Sequence, residues 1–477
     1  MKYRILLNIL DRIREEAPSD FTSYKVDEKN IELLNQARSK AFIHLFLKVK
    51  CGMMNFAERH DFITEGTQDG GIDAYHIDKE NKKVFLIQSK FRINKNNFET
   101  KKITANDLVR MEIQRILQGE ATDSRGNHFS TKIKKFQDEW SKISDHAHYK
   151  YRVIILGNLE NYSDEQIKRI IDNSDYEVFD FKRSYNELVF PLCSGTYYDP
   201  KEIKITIDLV NKEQSTLKQQ ISTNLGDFPI RVLFVPTKEI GRIMSKYKNS
   251  ILKYNPRNYL SLSTNKVNRN IMESIINCTA NDFAIYNNGI TIIADSFELT
   301  ETTGTKNVGQ VIMTNPQIIN GGQTAYVLSK IYEEQKDDYS VFNGKEVMLK
   351  VIILTSDTEL NIDFIERISN ATNQQTRIEE ADRRSNEKIQ IAIEAAIFDI
   401  FGYFYERKKG EFYNGVDRKY IDKDFIVDRY DLLKAYLAWS GNASNARSSG
   451  SETLFKEKRF NEIMKKYRDV KTMFFCL

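Results

Sequence analysis

The sequence predicts an α/β protein made of two successive α/β units and a short helical C-terminus. Three observations carry that prediction. Apolar periodicity switches repeatedly between helix and strand spacing up to about Asp208, and a second such alternation begins near Ile230. A Ser/Asn/Gly-rich stretch, Gly441 to Ser451, then reads as a flexible connection to a last helix. The expected domains are 1–215, 216–440 and 441–477.

In chain order, Ile31 to Lys50 carries Ile31, Leu34, Ala37, Ala41, Leu45 and Val49 at the spacing of one helix face. Asp61 to Thr64, Ile72 to Ile77 and the apolar run Val84 to Ile87 read as strands, the last two as a hairpin across Asp78 to Lys83. Asn106 to Leu117 reads as a helix and Tyr151 to Leu156 as a buried strand. Helix, three strands, helix and strand make an α/β sandwich. The charged, Gln-rich stretch Asn211 to Gln220 reads as a connector. Beyond it come Ile230 to Val235, Phe283 to Ala294, Val311 to Met313, a helix opening near Gly322, a strand over Val347 to Leu354, and helices over Ile362 to Ser369 and Asp382 to Ala396.

Of 477 residues, 71 Lys plus Arg face 67 Asp plus Glu for a net charge of +4, and 40% are hydrophobic, which supports packed cores and excludes a polyelectrolyte tail. Near-balanced charge neither favours nor disfavours nucleic acid, because binding depends on local basic patches. The N-terminal apolar run Ile5 to Leu10 is interrupted by Asn8 and is far short of the roughly 18 residues of a membrane span. No membrane association and a cytoplasmic location are expected. Cys51, Cys193, Cys278 and Cys476 lie far apart without CxxC spacing, so neither a zinc knuckle nor a disulfide framework is indicated. His146 and His148 read as a solvated loop.

The most informative stretch is Thr64 to Arg92. Glycines at 66, 70 and 71 permit a tight irregular turn, Asp73 enters one strand, and Gln88 and Lys90 lie two apart on the next, hence on one face. A hairpin would bring an acid, an amide and a cation together at a sheet edge. Phosphodiester hydrolysis needs such a set: oxygen ligands for a hard divalent cation, an activated water, and a positive group near the developing charge. Asp73 is the expected principal ligand, joined by the Gln88 side-chain oxygen and the Ser89 carbonyl. Lys90 is expected to orient or deprotonate the water, and Glu65 and Asp69 to complete the shell. Arg92, Lys95, Lys101 and Lys102, with Phe91 and Phe98, could follow a nucleic-acid backbone.

These residues resemble the PD-(D/E)xK nuclease core in its Mrr-like Gln-x-Lys version. The resemblance implies a restriction-endonuclease-like α/β/α core for the first unit, with Asp73, Gln88 and Lys90 catalytic and Mg2+, or Mn2+ in its place, as cofactor. The family's helix glutamate falls on Glu32. Gln88 stands where most members carry a carboxylate, which lowers the negative charge available to the cation.

A second group is rich in amides: Tyr286-Asn287-Asn288-Gly289-Ile290, Asn315 to Thr324 with Asn320, Gly322, Gln323 and Thr324, and Ser369 to Thr376 with Asn373 and Gln374. Together with Tyr254 to Leu260, Asn268 with Ile271, Arg383 to Ser385 and Tyr405-Glu406-Arg407-Lys408, these stretches resemble the AIPR family, named for abortive-infection phage resistance, over roughly Ser222 to Ser440. Gly321-Gly322 before a helix exposes backbone N–H groups to an anion, and Asn and Gln can read base edges. Asn287, Asn288, Asn320, Gly322, Gln323, Thr324, Asn373, Gln374 and Arg383 are therefore candidates for nucleotide or nucleic-acid contact. The competing reading is an amide network that only fixes loops.

The expected function is a Mg-dependent endonuclease in bacterial anti-phage defence, with DNA as substrate and RNA as the other polymer the chemistry admits. The alternative is a catalytically weak or inactive nucleic-acid- or nucleotide-binding defence or regulatory protein. A homodimer fits cutting of both strands, and partner defence proteins fit the setting.

Overall fold

The computed structural model describes every residue except 28, 65, 80–81, 199, 211, 213, 225, 256–265, 278–279, 336–337, 355–363, 366, 370, 372–378 and 466–477. The chain is mixed α/β and divides into two compact units, Met1–Leu192 with Arg418–Ile421, and Cys193–Asp417 with Asp422–Leu477. The division falls before the border of 215 read from the sequence. The strand Glu202–Asp208 pairs over its whole length with Val308–Thr314, and so belongs to a sheet of the second unit.

In the first unit the helices α1 (Lys2–Glu15), α2 (Ile31–Lys50) and α3 (Phe56–Asp61) precede a sheet of β1 (Ala74–Asp78), β2 (Lys83–Ser89), β3 (Lys150–Leu156) and β4 (Asp175–Phe179), in the order 1-2-3-4. β1 and β2 form the expected antiparallel hairpin, with Asp78 opposite Lys83; β3 and β4 run parallel to β2. Both faces of the sheet are covered. Tyr75, in register with Leu86, meets Phe136 of the helix α4 (Thr131–Ser141) with ring centroids 4.6 Å apart. Phe179, in register with Leu156 and through it with Ser89, meets Phe46 of α2 at 5.2 Å on the opposite face.

Two expectations for this unit change. Asp61 to Thr64 is not a strand: α3 occupies its start, capped by Asn55, and only Ile63 makes an isolated bridge to Ala74. Asn106 to Leu117 is not one helix but two short ones, Ala105–Val109 and Ile113–Leu117. The break has a cause in the glycine turn. Gly70 carbonyl oxygen accepts the Glu112 N–H at 2.9 Å, and Gly71, at φ +72°, lies so close that a Cβ there would sit 2.4 Å from the Arg110 carbonyl oxygen.

In the second unit β5 (Glu202–Asp208) belongs to a three-stranded sheet. The larger sheet contains β6 (Leu217–Thr223), β7 (Gly226–Pro236), β8 (Ile290–Ala294), β9 (Gln317–Asn320) and β10 (Glu346–Ile353) in the order 9-8-10-7-6. Leu233, Val235, Ile290, Ile292, Leu349 and Val351 form one core with the helices α5 (Thr237–Tyr247) and α6 (Gly322–Glu334). Gly241 lets those helices touch, since a Cβ there would lie 2.8 Å from the Leu328 carbonyl oxygen. Phe228, Ile293, Ile319 and Ile352 pack with Phe364 and Ile365 in a separate cluster.

The expected connector Asn211 to Gln220 instead leads into β6, which pairs with β7 from Leu217 onward. Gly441 to Ser451 is not a flexible connection either. Short helices over Ala443–Ser448 and Ser451–Leu454 continue the chain, Ala446 is buried, and Phe460 and Ile463 of the final helix Glu457–Lys465 join the same core.

Candidate active site

Asp73 lies just ahead of β1, where the ladder becomes irregular: its N–H donates to the Ile87 carbonyl oxygen at 2.8 Å, and its own carbonyl accepts from the Thr64 N–H at 2.9 Å. The carboxylate turns toward β2. Asp73 Oδ2 accepts from Gln88 Nε2 at 2.9 Å and from the Ser89 N–H at 2.6 Å, and all three residues are buried. The hairpin thus brings together the acid and the amide, as the spacing predicts. The orientation of Gln88 differs from the expected oxygen ligand, because an anionic oxygen pairs with an N–H and repels an amide oxygen. Gln88 presents its nitrogen.

Asp69 belongs to the same edge, its carboxylate accepting from the Gly71 N–H at 2.8 Å and the Gly66 N–H at 3.2 Å. Burial raises the Asp69 pKa from its ordinary value, against the pull of those N–H groups and of the Lys90 charge. Lys90 follows β2, with its N–H on the Leu156 carbonyl oxygen at 3.0 Å. Its charge is felt by Asp69 and also by Asp107, which the sequence reading missed. Burial pushes Asp107 up, but the Thr104 N–H and hydroxyl, with Lys90 and Arg110, leave it below its ordinary value. Its only sequence signal is the Thr104-x-x-Asp107 capping box.

Not every expected ligand joins this group. Glu32 is exposed in the first turn of α2, the helix on the face opposite Gln88, and lies about 15 Å along the helix axis from Phe42, whose ring meets Phe91. The structure does not bring it to Asp73. Glu65 lies outside the described residues. Phe98 is buried among Tyr3, Phe42, Phe91 and Tyr185, so it packs the core and is no stacking platform. Lys95, Lys101 and Lys102 remain exposed.

The donors at Asp73 are oxygens, which suits a hard cation, and magnesium is ordinarily held by one or two carboxylates with the substrate's phosphates. Among the described residues no group of three or more His, Cys, Asp or Glu side chains could hold a metal. One carboxylate, the Ser89 carbonyl and a reoriented Gln88 would be the protein's share.

A polar chain, buried at Lys48, Arg59, His44 and Tyr24 and open to solvent at Glu16, supports the loop that precedes Asp73. Glu16 accepts from Lys48 Nζ at 2.5 Å and from Arg59 Nη2 at 2.6 Å; Arg59 Nε donates to His44 Nδ1 at 3.1 Å. That donation leaves His44 Nε2 as the protonated nitrogen, so it donates to Tyr24 Oη at 3.0 Å, and Tyr24 donates to His60 Nδ1 at 2.9 Å. Lys132 Nζ then holds the carbonyls of His60 and Ile63 at 2.9 and 2.7 Å, next to Thr64. His44 and Lys48 inside an otherwise apolar run of α2 were the sequence's signal for this chain.

Burial, and secondarily the Arg59 charge, depress His44 well below its ordinary value of 6.5; burial and Lys132 push His60 down to about 4. Both therefore favour the neutral ring in the folded state. Their contribution is present above about pH 6.5 and is lost as pH falls toward 4, because the unfolded chain then binds more protons. The urea midpoint should drop between about pH 7.5 and about pH 5. An unchanged or rising midpoint would contradict the neutral assignment.

In the second unit the amides converge in part on the N-terminus of α6. Asn287 Nδ2 donates to Thr324 Oγ1 at 3.2 Å, the Gly289 N–H to Asn287 Oδ1 at 3.0 Å, and the Gly321 N–H to Asn320 Oδ1 at 2.6 Å. Gly321, at φ +82°, fits against Gly289, and Gly322 opens the helix with no side-chain cap. Gln323 Nε2 is enclosed with no hydrogen-bond partner among the described residues, whereas Asn288 is exposed. Arg383 is not part of this group: it is exposed and pairs with Glu380 at 3.5 Å. Asn373 and Gln374, with Pro256 to Leu260, lie outside the described residues.

The Tyr405-Glu406-Arg407-Lys408 landmark forms a buried ionic hub. Arg407 pairs with Glu394 at 2.8 Å and Glu411 at 2.7 Å, and Lys408 Nζ donates to the carbonyls of Lys253 and Asn255 at 2.7 and 2.9 Å. Burial and then the Glu411 charge push Glu394 up to about 8, and burial brings Lys408 down to about 7.

Residues 252–475 match the AIPR family, described as AIPR protein. No curated protein and no solved structure matches the chain. The chain thus carries an AIPR domain over residues 252–475, which points to a role in phage defence or abortive infection.

Proposed function

We propose that the first unit is a metal-dependent nuclease that hydrolyses phosphodiester bonds of DNA, and that it acts in phage defence together with the AIPR domain. The supporting observation is the Asp73 carboxylate tied to Gln88 and the Ser89 N–H, with the Lys90 charge reaching Asp69 and Asp107 at the same edge. Asp73 would hold Mg2+ or Mn2+ with the Ser89 carbonyl, and Gln88 would join with its amide turned over. A bound divalent cation supplies charge neutralisation at the phosphate and a more acidic water. Lys90 places a positive charge where negative charge develops on the phosphoryl oxygens and donates to the attacking water.

The second reading, a nucleic-acid-binding defence protein without catalysis, draws on the lack, among the described residues, of a group of three or more acidic, His or Cys side chains that could hold a metal, and on the Gln88 nitrogen that faces Asp73. Incubation of plasmid, linear and single-stranded DNA and of RNA with the full chain, with magnesium or with chelator, separates the two. The nuclease reading expects DNA cleavage only with magnesium, and Lys90→Ala slower by about 10²- to 10³-fold. Salt-sensitive DNA binding in chelator with no cleavage in magnesium would favour the binder.

A further inference from the structure

We propose that β6 is the pairing edge of a symmetric homodimer, in which the β6 strands of two copies run antiparallel about a two-fold axis at Gln220. β6 is the last strand of the five-stranded sheet, and each of its seven residues, Leu217 to Thr223, is exposed. Its register with β7 runs without a shift from Leu217 opposite Val232 to Thr223 opposite Gly226.

The direction of the main chain follows from hydrogen bonds on both sides of β7. Thr237, just past β7, donates its N–H to the Lys345 carbonyl beside β10, so odd positions of β7 face β10. The carbonyls of Val232 and Phe234 face the other way, accepting from Thr216 Oγ1 and Lys212 Nζ, both at 3.3 Å. In an antiparallel ladder a residue's N–H and C=O point to the same side. Even positions of β7 therefore bond Leu217, Gln219 and Ile221, and the main-chain groups of Lys218, Gln220 and Ser222 project from the sheet edge. Pro229, which has no N–H to give, sits opposite Gln220, as a pair that exchanges no bonds allows.

Those three outward residues are symmetric about Gln220. Antiparallel pairing of two β6 strands there opposes Gln220 to Gln220 and Lys218 to Ser222 on each side, three pairs that each exchange two main-chain hydrogen bonds. The facing Gln220 amides are self-complementary, donor to acceptor in both directions. Lys218, the one charged residue of the strand, meets Ser222, so no like charges oppose one another. Leu217, 56% exposed, and Ile221, 39% exposed, share the other face of the strand. Pairing sets Leu217 opposite Thr223 and brings the two Ile221 side chains diagonally together across the axis. The edge carries neither a proline nor a bulge, the usual guards against such pairing. A seven-residue strand pair is small for an interface, so the dimer should dissociate on dilution.

Sedimentation velocity of the full chain over a concentration series tests this. Wild type is expected to pass from monomer to dimer by tens of micromolar. Gln220→Lys and Gln220→Glu, each at an exposed position, should stay monomeric alone because like charges meet at the axis, and an equimolar mixture of the two should dimerise. Circular dichroism checks that both variants fold. A wild type that is monomeric throughout, a Gln220→Lys variant that dimerises as wild type does, or folded variants whose mixture stays monomeric would overturn the proposal.

Discussion

Asp73→Asn should abolish magnesium-dependent DNA cleavage, with a single-turnover rate at least about 10³-fold below wild type, while the protein stays folded. The asparagine oxygen can still accept the buried Ser89 N–H that Asp73 Oδ2 accepts at 2.6 Å, so no donor is stranded. The same oxygen goes on accepting from Gln88 Nε2, because both bonds fall on Oδ2, and the new amide nitrogen takes the place of Oδ1. The expected stability loss is therefore only about 1 kcal/mol, against roughly 1 to 3 kcal/mol for Asp73→Ala, which leaves that N–H unpaired. Cleavage at the wild-type rate by Asp73→Asn would remove Asp73 from the chemistry and leave it as a cap on the end of the β1–β2 ladder.

Glu16→Gln should destabilise the first unit by about 1 to 3 kcal/mol, because its carboxylate, although itself partly open to solvent, serves two buried cations. Glu16 is the anion shared by Lys48 and Arg59; the Arg59 side chain is fully buried, and Tyr420 Oη also reaches Glu16, at 3.3 Å. Removing one charge leaves two buried cations uncompensated. The pKa directions agree with this: burial works against the Glu16 charge, yet Lys48 and Arg59 hold its carboxyl below the ordinary value. Burial, despite Glu16, lowers Lys48 to about 8. Combining Glu16→Gln with Lys48→Met removes one of the stranded cations, so the double variant should be more stable than the sum of the single effects predicts. Chemical denaturation of the four proteins measures this, and strict additivity would show that the two groups do not depend on each other.

Much of the first unit was legible because its strands are buried and its turn chemistry is strong. The hairpin across Asp78 to Lys83 and the meeting of Asp73 with Gln88 follow from side-chain alternation and the glycine turn. The strand β6 was not legible, because LKQQIST is solvated on both faces and carries no core pattern. The break at Arg110 to Glu112 depends on a bond from Gly70, forty residues away in sequence, which local propensity does not register. The side of the sheet on which α2 packs, and with it the separation of Glu32 from Asp73, is likewise a tertiary property. In the second unit the separated amide and charged landmarks were enough to indicate the AIPR family, while the burial of Arg407 among Glu394 and Glu411 could not be read from a run of polar letters.

Anomalous diffraction from crystals of the full chain soaked in Mn2+ tests most directly whether the C-terminal end of β2 holds a catalytic cation. The proposed nuclease predicts a manganese peak in contact with the Asp73 carboxylate and the Ser89 carbonyl, with the Gln88 amide reversed, and no such peak in Asp73→Asn. A well-occupied manganese site elsewhere, or a strand end that stays empty at saturating Mn2+ with Gln88 Nε2 still on Asp73, would contradict it.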